Sequence, residues 1–120
     1  MSIDGLEQEI IKIASRFHYI KNVITLLKTS NTIKVKLEIA PSTYIQIYHN
    51  IKKNVVSYVL VIGNSRIYGR DCDGGFWHRH PVKDSGSHDF SAEGSKEITL
   101  DEFLIEVGFI LIRFGIIGKG

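Results

Sequence analysis

Residues 33–39 alternate strictly between apolar and charged side chains, a pattern that is typical of a β-strand with one buried and one wet face. Further β-forming segments follow at residues 43–49, 55–62 and 66–70, and another precedes at residues 23–27. Short polar turns separate these segments. Turns of this length join antiparallel neighbours, whereas parallel strands need long crossovers. The sequence therefore predicts an antiparallel meander of about five strands.

Two segments with helical spacing flank the predicted sheet. Residues 4–18 repeat apolar side chains at helical intervals, and we expect Asp4 and Glu7 to cap the first turn. A last helix starts at a capping box formed by Thr99 and Glu102 and is apolar on nearly all of its faces. Its two apolar stripes comprise Leu100, Phe103, Leu104, Val107, Ile110, Leu111 and Phe114 on one side and Ile105, Phe109, Ile112 and Ile116 on another.

A helix with two apolar stripes has to be covered on more than one side. It can pack on the sheet and form a homodimer or partner contact, or it can lie wedged between the sheet and the first helix. The expected fold class is α+β, with an N-terminal helix, the sheet, a long His-rich loop and a C-terminal helix packed on the sheet. At this length, residues 1–120 suit a single domain.

The composition also bears on the compartment. Cys72 is the only cysteine, so no internal disulfide can form, and the first residues lack the basic flank and apolar run of a signal peptide. The most apolar stretch, residues 103–117, is interrupted by Glu106 and Arg113 and is shorter than the roughly 20 residues that a membrane helix needs. We expect a cytoplasmic protein without a membrane segment.

The formal net charge of +2 conceals an uneven distribution. Between residues 10 and 83 twelve Lys and Arg stand against three acidic residues, and the two flanks carry an acidic excess. A basic middle favours a polyanionic partner such as RNA. Lysines on exposed strands also keep a sheet soluble and protect its edges, and charge alone favours this second explanation.

Residues 69–88 concentrate the reactive side chains of the chain. His78, His80 and His88, three of the five histidines, fall there together with the only tryptophan. Residues 71–95 are rich in Gly, Ser, Asp and His, which predicts a loop of about 25 residues, and loops of this length are usually functional or disordered. We interpret this cluster as the candidate site. His18 and His49 stand apart from it, and we expect both at the surface or at a cap.

Strand alternation predicts how the cluster is arranged. Arg66, Tyr68 and Arg70 would share one face of the last strand, and His78 and His80 would share a face if residues 77–81 are extended. We therefore expect the imidazoles and the guanidinium groups to open into a common pocket. Arg79 and Lys83 are further candidates for contacts with phosphate.

The first chemistry that such a set supports is metal-independent cleavage of RNA. One histidine would take the proton of the 2′-hydroxyl and another would protonate the leaving 5′-oxygen, and histidine suits both roles because its pKa is about 6.5. An arginine would stabilise the charge on the phosphate oxygens. The candidate catalytic residues are His78, His80 and His88, and Arg66, Tyr68, Arg70, Arg79 and Lys83 are the candidate RNA-binding residues.

Three other interpretations remain open. His78 and His80 form a His-x-His pair that, with His88 or Asp71, would bind zinc or manganese in a metal-binding protein or metal-dependent hydrolase. A binding module for nucleic acid or protein would use the same side chains without catalysis. In the last interpretation, the histidines and arginines only bond aspartates and carbonyls within a structured loop.

The run at residues 57–81, SYVLVIGNSRIYGRDCDGGFWHRHP, is followed by Ser-His-Asp at 87–89 and Leu-Asp-Glu-Phe-Leu at 100–104. This three-part pattern resembles the TumE-type toxin family, small bacterial and archaeal proteins of two-gene toxin–antitoxin modules. The resemblance covers roughly residues 43–110. It implies an α+β fold and a cognate antitoxin, and the positions that match the family pattern are Tyr68, Asp71, Trp77, His78, His80 and His88.

Overall fold

The computed structural model describes residues 1–82, 84 and 86–118. Helix α1 spans Ile3–Ala14, and its cap is Ser2, whose Oγ accepts a hydrogen bond from the backbone N–H of Gly5 at 3.0 Å. The predicted capping pair was therefore wrong, and the helix ends at Ala14 rather than near residue 18. Glu7 instead forms an ion pair with Lys28 at 2.9 Å, which ties α1 to the first strand.

Six strands follow α1 and form one sheet within the described part of the chain. They are β1 Asn22–Lys28, β2 Thr32–Ala40, β3 Thr43–Asn50, β4 Val55–Ile62, β5 Ser65–Asp73 and β6 Phe76–His80. Their order in the sheet is their order in the chain, and every neighbouring pair is antiparallel. The predicted meander is confirmed, and it has one more strand than expected.

The additional strand is β6, which lies in the segment that the sequence predicted as loop. Gly74 and Gly75 join β5 to β6 in a tight hairpin, with φ angles of 61° and 92° that favour glycine. Residues 71–80 therefore belong to the sheet, and the connection to the last helix starts only at Pro81.

The sheet has a covered face and an open face. In β2, Ile33, Val35 and Leu37 are fully buried, whereas Lys34 and the other charged residues between them are partly exposed. The buried set packs against residues of α1 and of the last helix, so both helices lie on the same side of the sheet. The alternation therefore predicted correctly that one face is buried and the other is wet.

Helix α2 spans Leu100–Arg113 and starts with the predicted capping box of Thr99 and Glu102. Its buried residues are Leu100, Phe103, Leu104, Val107, Ile110 and Leu111, which confirms that α2 packs on the sheet. On the second stripe Ile105 is 53% exposed and Phe109 is 66% exposed in the single chain. This exposed stripe is where the sequence predicts a homodimer contact.

Strand β5 also contributes buried side chains to the covered face, namely Tyr68, Arg70 and Cys72. Cys72 is a free thiol on this face, and burial raises its pKa. Among the residues that the structure describes, no helix is both long and apolar enough to cross a membrane.

Candidate metal centre on the open face of the sheet

Side-chain alternation in β5 and β6 decides which residues of the cluster meet. Asp71 pairs with His78, and Gly69 pairs with His80. Residues paired across an antiparallel ladder point to the same face of the sheet. Asp71, His78 and His80 therefore share the open face, as expected for the two histidines.

His88 joins the pair because a short bridge holds residue 89 beside β6. The backbone N–H of Arg79 donates to the carbonyl of Asp89 at 3.1 Å, and the N–H of Asp89 donates back to the carbonyl of Arg79 at 2.8 Å. In this antiparallel pairing the neighbours of Asp89, His88 and Phe90, fall on the open face. The sequence gives no direct signal for the bridge, since a single residue pair has no periodicity.

The three imidazoles form a compact cluster. One ring nitrogen from each of His78, His80 and His88 lies within 4.8 Å of those of the other two. The ring centroids are 5.0 Å apart for His78 and His80, 4.9 Å for His78 and His88, and 4.7 Å for His80 and His88. His88 is exposed and the other two are partly buried, so the cluster is accessible from solvent.

Asp71 lies beside the cluster and contacts two of its imidazoles. Its Oδ2 lies 3.1 Å from Nε2 of His80 and 3.7 Å from Nε2 of His78, and its Oδ1 accepts a hydrogen bond from the Ser57 hydroxyl at 2.8 Å. Burial lowers the pKa of His78; the charge of Asp71 opposes this shift, and the other two imidazoles add to it. A neutral imidazole is the form that binds a metal ion.

Phe90 closes one side of the cluster, a role that the sequence analysis missed. Its ring lies 5.3 Å from the ring of His78 and stacks at 6.0 Å on that of His88, with an interplanar angle of 14°. Phe90 is nevertheless 64% exposed. A large apolar side chain exposed beside three histidines forms a hydrophobic wall of the site.

An ion pair on the covered side of the same bridge fixes the segment that carries His88. Arg79 donates from Nε to Oδ2 of Asp89 at 2.9 Å, with a second short bond from Nη2 to the same oxygen. Hydrogen bonds from Ser91 and from Arg79 lower the pKa of Asp89 to about 2. Arg79 therefore has a structural partner and points away from the histidines, which contradicts its predicted place beside them.

Arg70 and Tyr68 are also on the covered face, so the expected common pocket of imidazoles and guanidinium groups is wrong. The guanidinium of Arg70 is fully buried and holds Glu106 of α2 through two bonds, at 2.7 and 3.2 Å, while another bond at 2.7 Å reaches the carbonyl of Glu93. Tyr68 donates to Glu106 at 2.7 Å, and burial is the main reason why its pKa is raised to about 12. These residues connect the sheet to α2.

Arg66 alone of the predicted arginines lies on the open face. The pairing of β4 with β5 shifts register between Leu60 and Val61, so Tyr68 pairs with Leu60 and Arg66 with Val61. Such a bulge changes the face to which the following side chains point. Arg66 is exposed there, and Lys83, the remaining predicted phosphate contact, lies outside the described residues.

The donor set of the cluster can hold a divalent metal ion. Imidazoles are common ligands of zinc. The three nitrogens lie within 4.8 Å of one another, so the rings would have to come closer together to bind one ion at the usual distance of about 2.0–2.1 Å. Among the described residues the metal-ligand group comprises the three histidines without Asp71, whose carboxylate is instead placed to orient His80.

Comparisons of the chain with protein-family models, with curated proteins and with solved structures gave no match.

Proposed function

We propose that this chain is a metal-dependent hydrolase that binds one divalent ion, zinc in preference to manganese, through His78, His80 and His88. The observation that carries the proposal is the mutual approach of the three ligand nitrogens within 4.8 Å. Zinc is preferred because imidazole suits zinc, whereas manganese favours carboxylate and water ligands.

Each neighbouring residue has a defined role in this proposal. Asp71 contacts Nε2 of His80 and is placed to orient its ring, and Ser57 holds the carboxylate in place. Phe90 shields one side. A zinc ion held by these three histidines would activate water for hydrolysis, and the exposure of His88 would let water and substrate reach it.

Metal-independent cleavage of RNA is the second candidate. It is supported by the contact between Asp71 and His80, which is the arrangement of a general base and the group that orients it. It is the weaker candidate because Arg70 and Arg79, which were to stabilise the phosphate charge, point to the covered face and are bonded to Glu106 and Asp89. Of the three arginines predicted for that role, Arg66 is the one that lies on the open face.

The biological setting proposed here is that of a cytoplasmic toxin held by a cognate antitoxin. The support is the residue pattern from Tyr68 to His88, together with the single reduced cysteine Cys72. Either chemistry at the histidine cluster would be toxic if it cleaved RNA, so this setting does not depend on which of the two operates.

The test is metal binding by protein purified without a His tag and stripped with chelator. Competition titration with a zinc indicator is expected to give one site per chain, and Co²⁺ substitution is expected to give the visible absorption of a four-coordinate ion. His80→Ala is expected to weaken zinc binding at least a hundredfold. The matched control is His18→Ala, because His18 is exposed and lies after α1, outside the cluster.

Hydrolysis is then measured with and without metal. We expect turnover of RNA that needs zinc and disappears in His80→Ala but persists in His18→Ala. Cleavage that persists in chelator and is lost in His80→Ala would favour the metal-independent mechanism. Equal zinc affinity of wild type and His80→Ala would refute the proposed metal centre.

A further inference from the structure

A shallow cavity lies on the open face of the sheet beside the histidine cluster. Its volume is about 280 Å³, and residues of β3, β4 and β5 and of the turn before β5 line it. They are Tyr44, Gln46, Tyr48, Ser57, Val59, Val61, Asn64 and Arg66. The proposed hydrolysis uses none of them except Ser57, so the cavity needs its own explanation.

The charged residues of this face include three cations, Lys34, Lys36 and Arg66, and three acids, Glu38, Asp71 and Asp73. Arg66 is exposed, and no ion pair within the described part of the chain neutralises it. Lys34 and Lys36 extend the basic character across β2, on the same face. Glu38 contacts Lys36 at 3.7 Å and Asp71 contacts His80, whereas Asp73 is exposed at the end of β5. Lys34 likewise forms no ion pair among the described residues, so Lys34 and Arg66 are the cations of this face that can contact phosphates.

Aromatic rings lie among these cations. Tyr44 and Tyr48 are two of the alternate residues of β3, so both point to the open face, about 13 Å apart along the strand. The ammonium group of Lys36 lies 4.5 Å above the ring of Tyr44. Aromatic side chains interleaved with cations on an exposed sheet form a surface on which unpaired bases stack while their phosphates are neutralised.

One residue of the cavity wall, Ser57, connects the cavity to the proposed metal centre. Ser57 lines the cavity and also donates its hydroxyl proton to Asp71, which in turn contacts His80. Four strand intervals of about 4.8 Å separate β2 from β6, so the surface from Lys34 to the histidines is roughly 19 Å wide. A short oligonucleotide can span this width.

We infer that the open face binds single-stranded nucleic acid, with bases on Tyr44 and Tyr48 and phosphates on Arg66 and Lys34, and presents its backbone to the histidine cluster. The inference deepens the proposed function by naming its substrate class, and it rests on that function only for the cleavage step. Binding itself needs no metal ion.

Binding is measured by fluorescence anisotropy with labelled 12-nucleotide RNA and DNA of mixed sequence, in chelator, with wild-type protein. Saturable binding of either strand supports the inference, and the tighter of the two identifies the substrate. A duplex of the same length is expected to bind at least tenfold more weakly, because paired bases cannot stack on the tyrosines. Equal affinity for duplex and single strand would overturn the inference.

Two variants test the named contacts. Tyr48→Leu keeps an apolar side chain on the sheet but removes the ring, and it is expected to raise the Kd at least about fivefold. Arg66→Ala is expected to do the same and to reduce the slope of log K against log salt by about 0.7. The control is Lys12→Ala, which removes one exposed cation from α1 on the other side of the sheet.

Thermal melts confirm that the variants are folded. If Tyr48→Leu and Arg66→Ala bind as tightly as Lys12→Ala, the inference is wrong. His80→Ala separates the two proposals, because it is expected to lose zinc and keep the oligonucleotide. Zinc binding without oligonucleotide binding would overturn the inference alone, and oligonucleotide binding without zinc binding would overturn the metal centre alone.

Discussion

Oδ2 of Asp71 lies 3.1 Å from Nε2 of His80, and the two residues come from adjacent strands of the same hairpin. The carboxylate is held in turn by Ser57 of β4. The orientation of His80, one predicted metal ligand, is therefore set by residues of the sheet and not by a loop. Asp71 and Ser57 influence the ligand geometry although neither is a predicted ligand itself.

Asp71→Asn should therefore weaken zinc binding about tenfold, because it removes the negative charge that favours donation from Nε2 of His80. The measurement is a competition titration with a zinc indicator at constant pH. Asp73→Asn is the matched control, since Asp73 is exposed at the end of the same strand. Equal zinc affinity in the two variants would mean that Asp71 does not contribute to zinc binding.

The ion pair of Arg79 with Asp89 should act on the site from the opposite face of the sheet. Asp89→Ala breaks this pair, releases the segment that carries His88, and should weaken zinc binding about tenfold. The circular dichroism spectrum should stay unchanged because the sheet does not depend on residue 89. Wild-type zinc affinity in a folded Asp89→Ala protein would mean that His88 is not a ligand or is held by other contacts.

Gly94 gives an independent test of the same segment. A Cβ atom at this position would lie 2.4 Å from the carbonyl oxygen of Asp89, so Gly94→Ala has to displace that backbone. We expect a loss of zinc affinity similar to that of Asp89→Ala. Gly118→Ala is the control, since its Cβ would meet no atom within 4 Å. Unchanged affinity in Gly94→Ala would show that His88 tolerates the displacement.

Arg70 should matter for stability and not for metal binding. Glu106→Ala leaves the fully buried guanidinium without its bidentate partner and should destabilise the fold by about 3–5 kcal/mol. Glu9→Ala on the exposed side of α1 should change stability by no more than about 0.5 kcal/mol. Urea unfolding of the metal-free proteins measures both. If the Glu106→Ala protein were stable but had lost RNA cleavage, Arg70 would have a role in the reaction and not only in stability.

The outcome for Arg70 shows where sequence reasoning reached its limit. Alternation within residues 33–39 predicted the two faces of the sheet, and Thr99 with Glu102 predicted the start of α2, because both signals are local. The face of Arg66 could not be predicted, since the bulge opposite Leu60 and Val61 depends on pairing between strands.

The same limit applies to the site itself. The prediction that His78 and His80 share a face followed from their spacing of two in an extended segment, and it was confirmed. The approach of His88 depends on a one-residue bridge, and the burial of Arg70 depends on Glu106, which is 36 residues away in the chain. Neither contact leaves a periodic trace in the sequence.

His49 was expected at the surface or at a cap, but it is partly buried, and burial lowers its pKa to about 4. Its ring makes an edge contact with Tyr58 at 5.9 Å. Because folding favours the neutral imidazole, the contribution to stability is full above the unfolded pKa of about 6.5 and is lost as pH falls toward 4. The loss should be up to about 3 kcal/mol.

Urea unfolding between pH 7.5 and 4 measures this effect as a difference between wild type and His49→Phe. The variant keeps an aromatic ring beside Tyr58 but cannot be protonated, so its stability should fall less steeply below pH 6.5. His18→Phe is the control, because His18 is exposed and its replacement should leave the slope unchanged. Parallel curves for wild type and His49→Phe would show that His49 does not titrate in this range.

The exposed stripe of α2 leads to a prediction about assembly. Phe109 is 66% exposed and lines an apolar cavity of about 240 Å³ with Ile105, Gly108 and Phe17. Because the stripe is the same on every copy, a two-fold contact can bury both phenylalanines at once. Sedimentation equilibrium should give twice the 13.6 kDa chain mass, and Phe109→Lys should raise the dimer dissociation constant at least tenfold.

The control variant is Leu26→Lys, which makes the same kind of change on the β1 edge, where Leu26 is 50% exposed. If Leu26→Lys were monomeric and Phe109→Lys remained dimeric, the dimer contact would lie at the free edge of the sheet and not on α2.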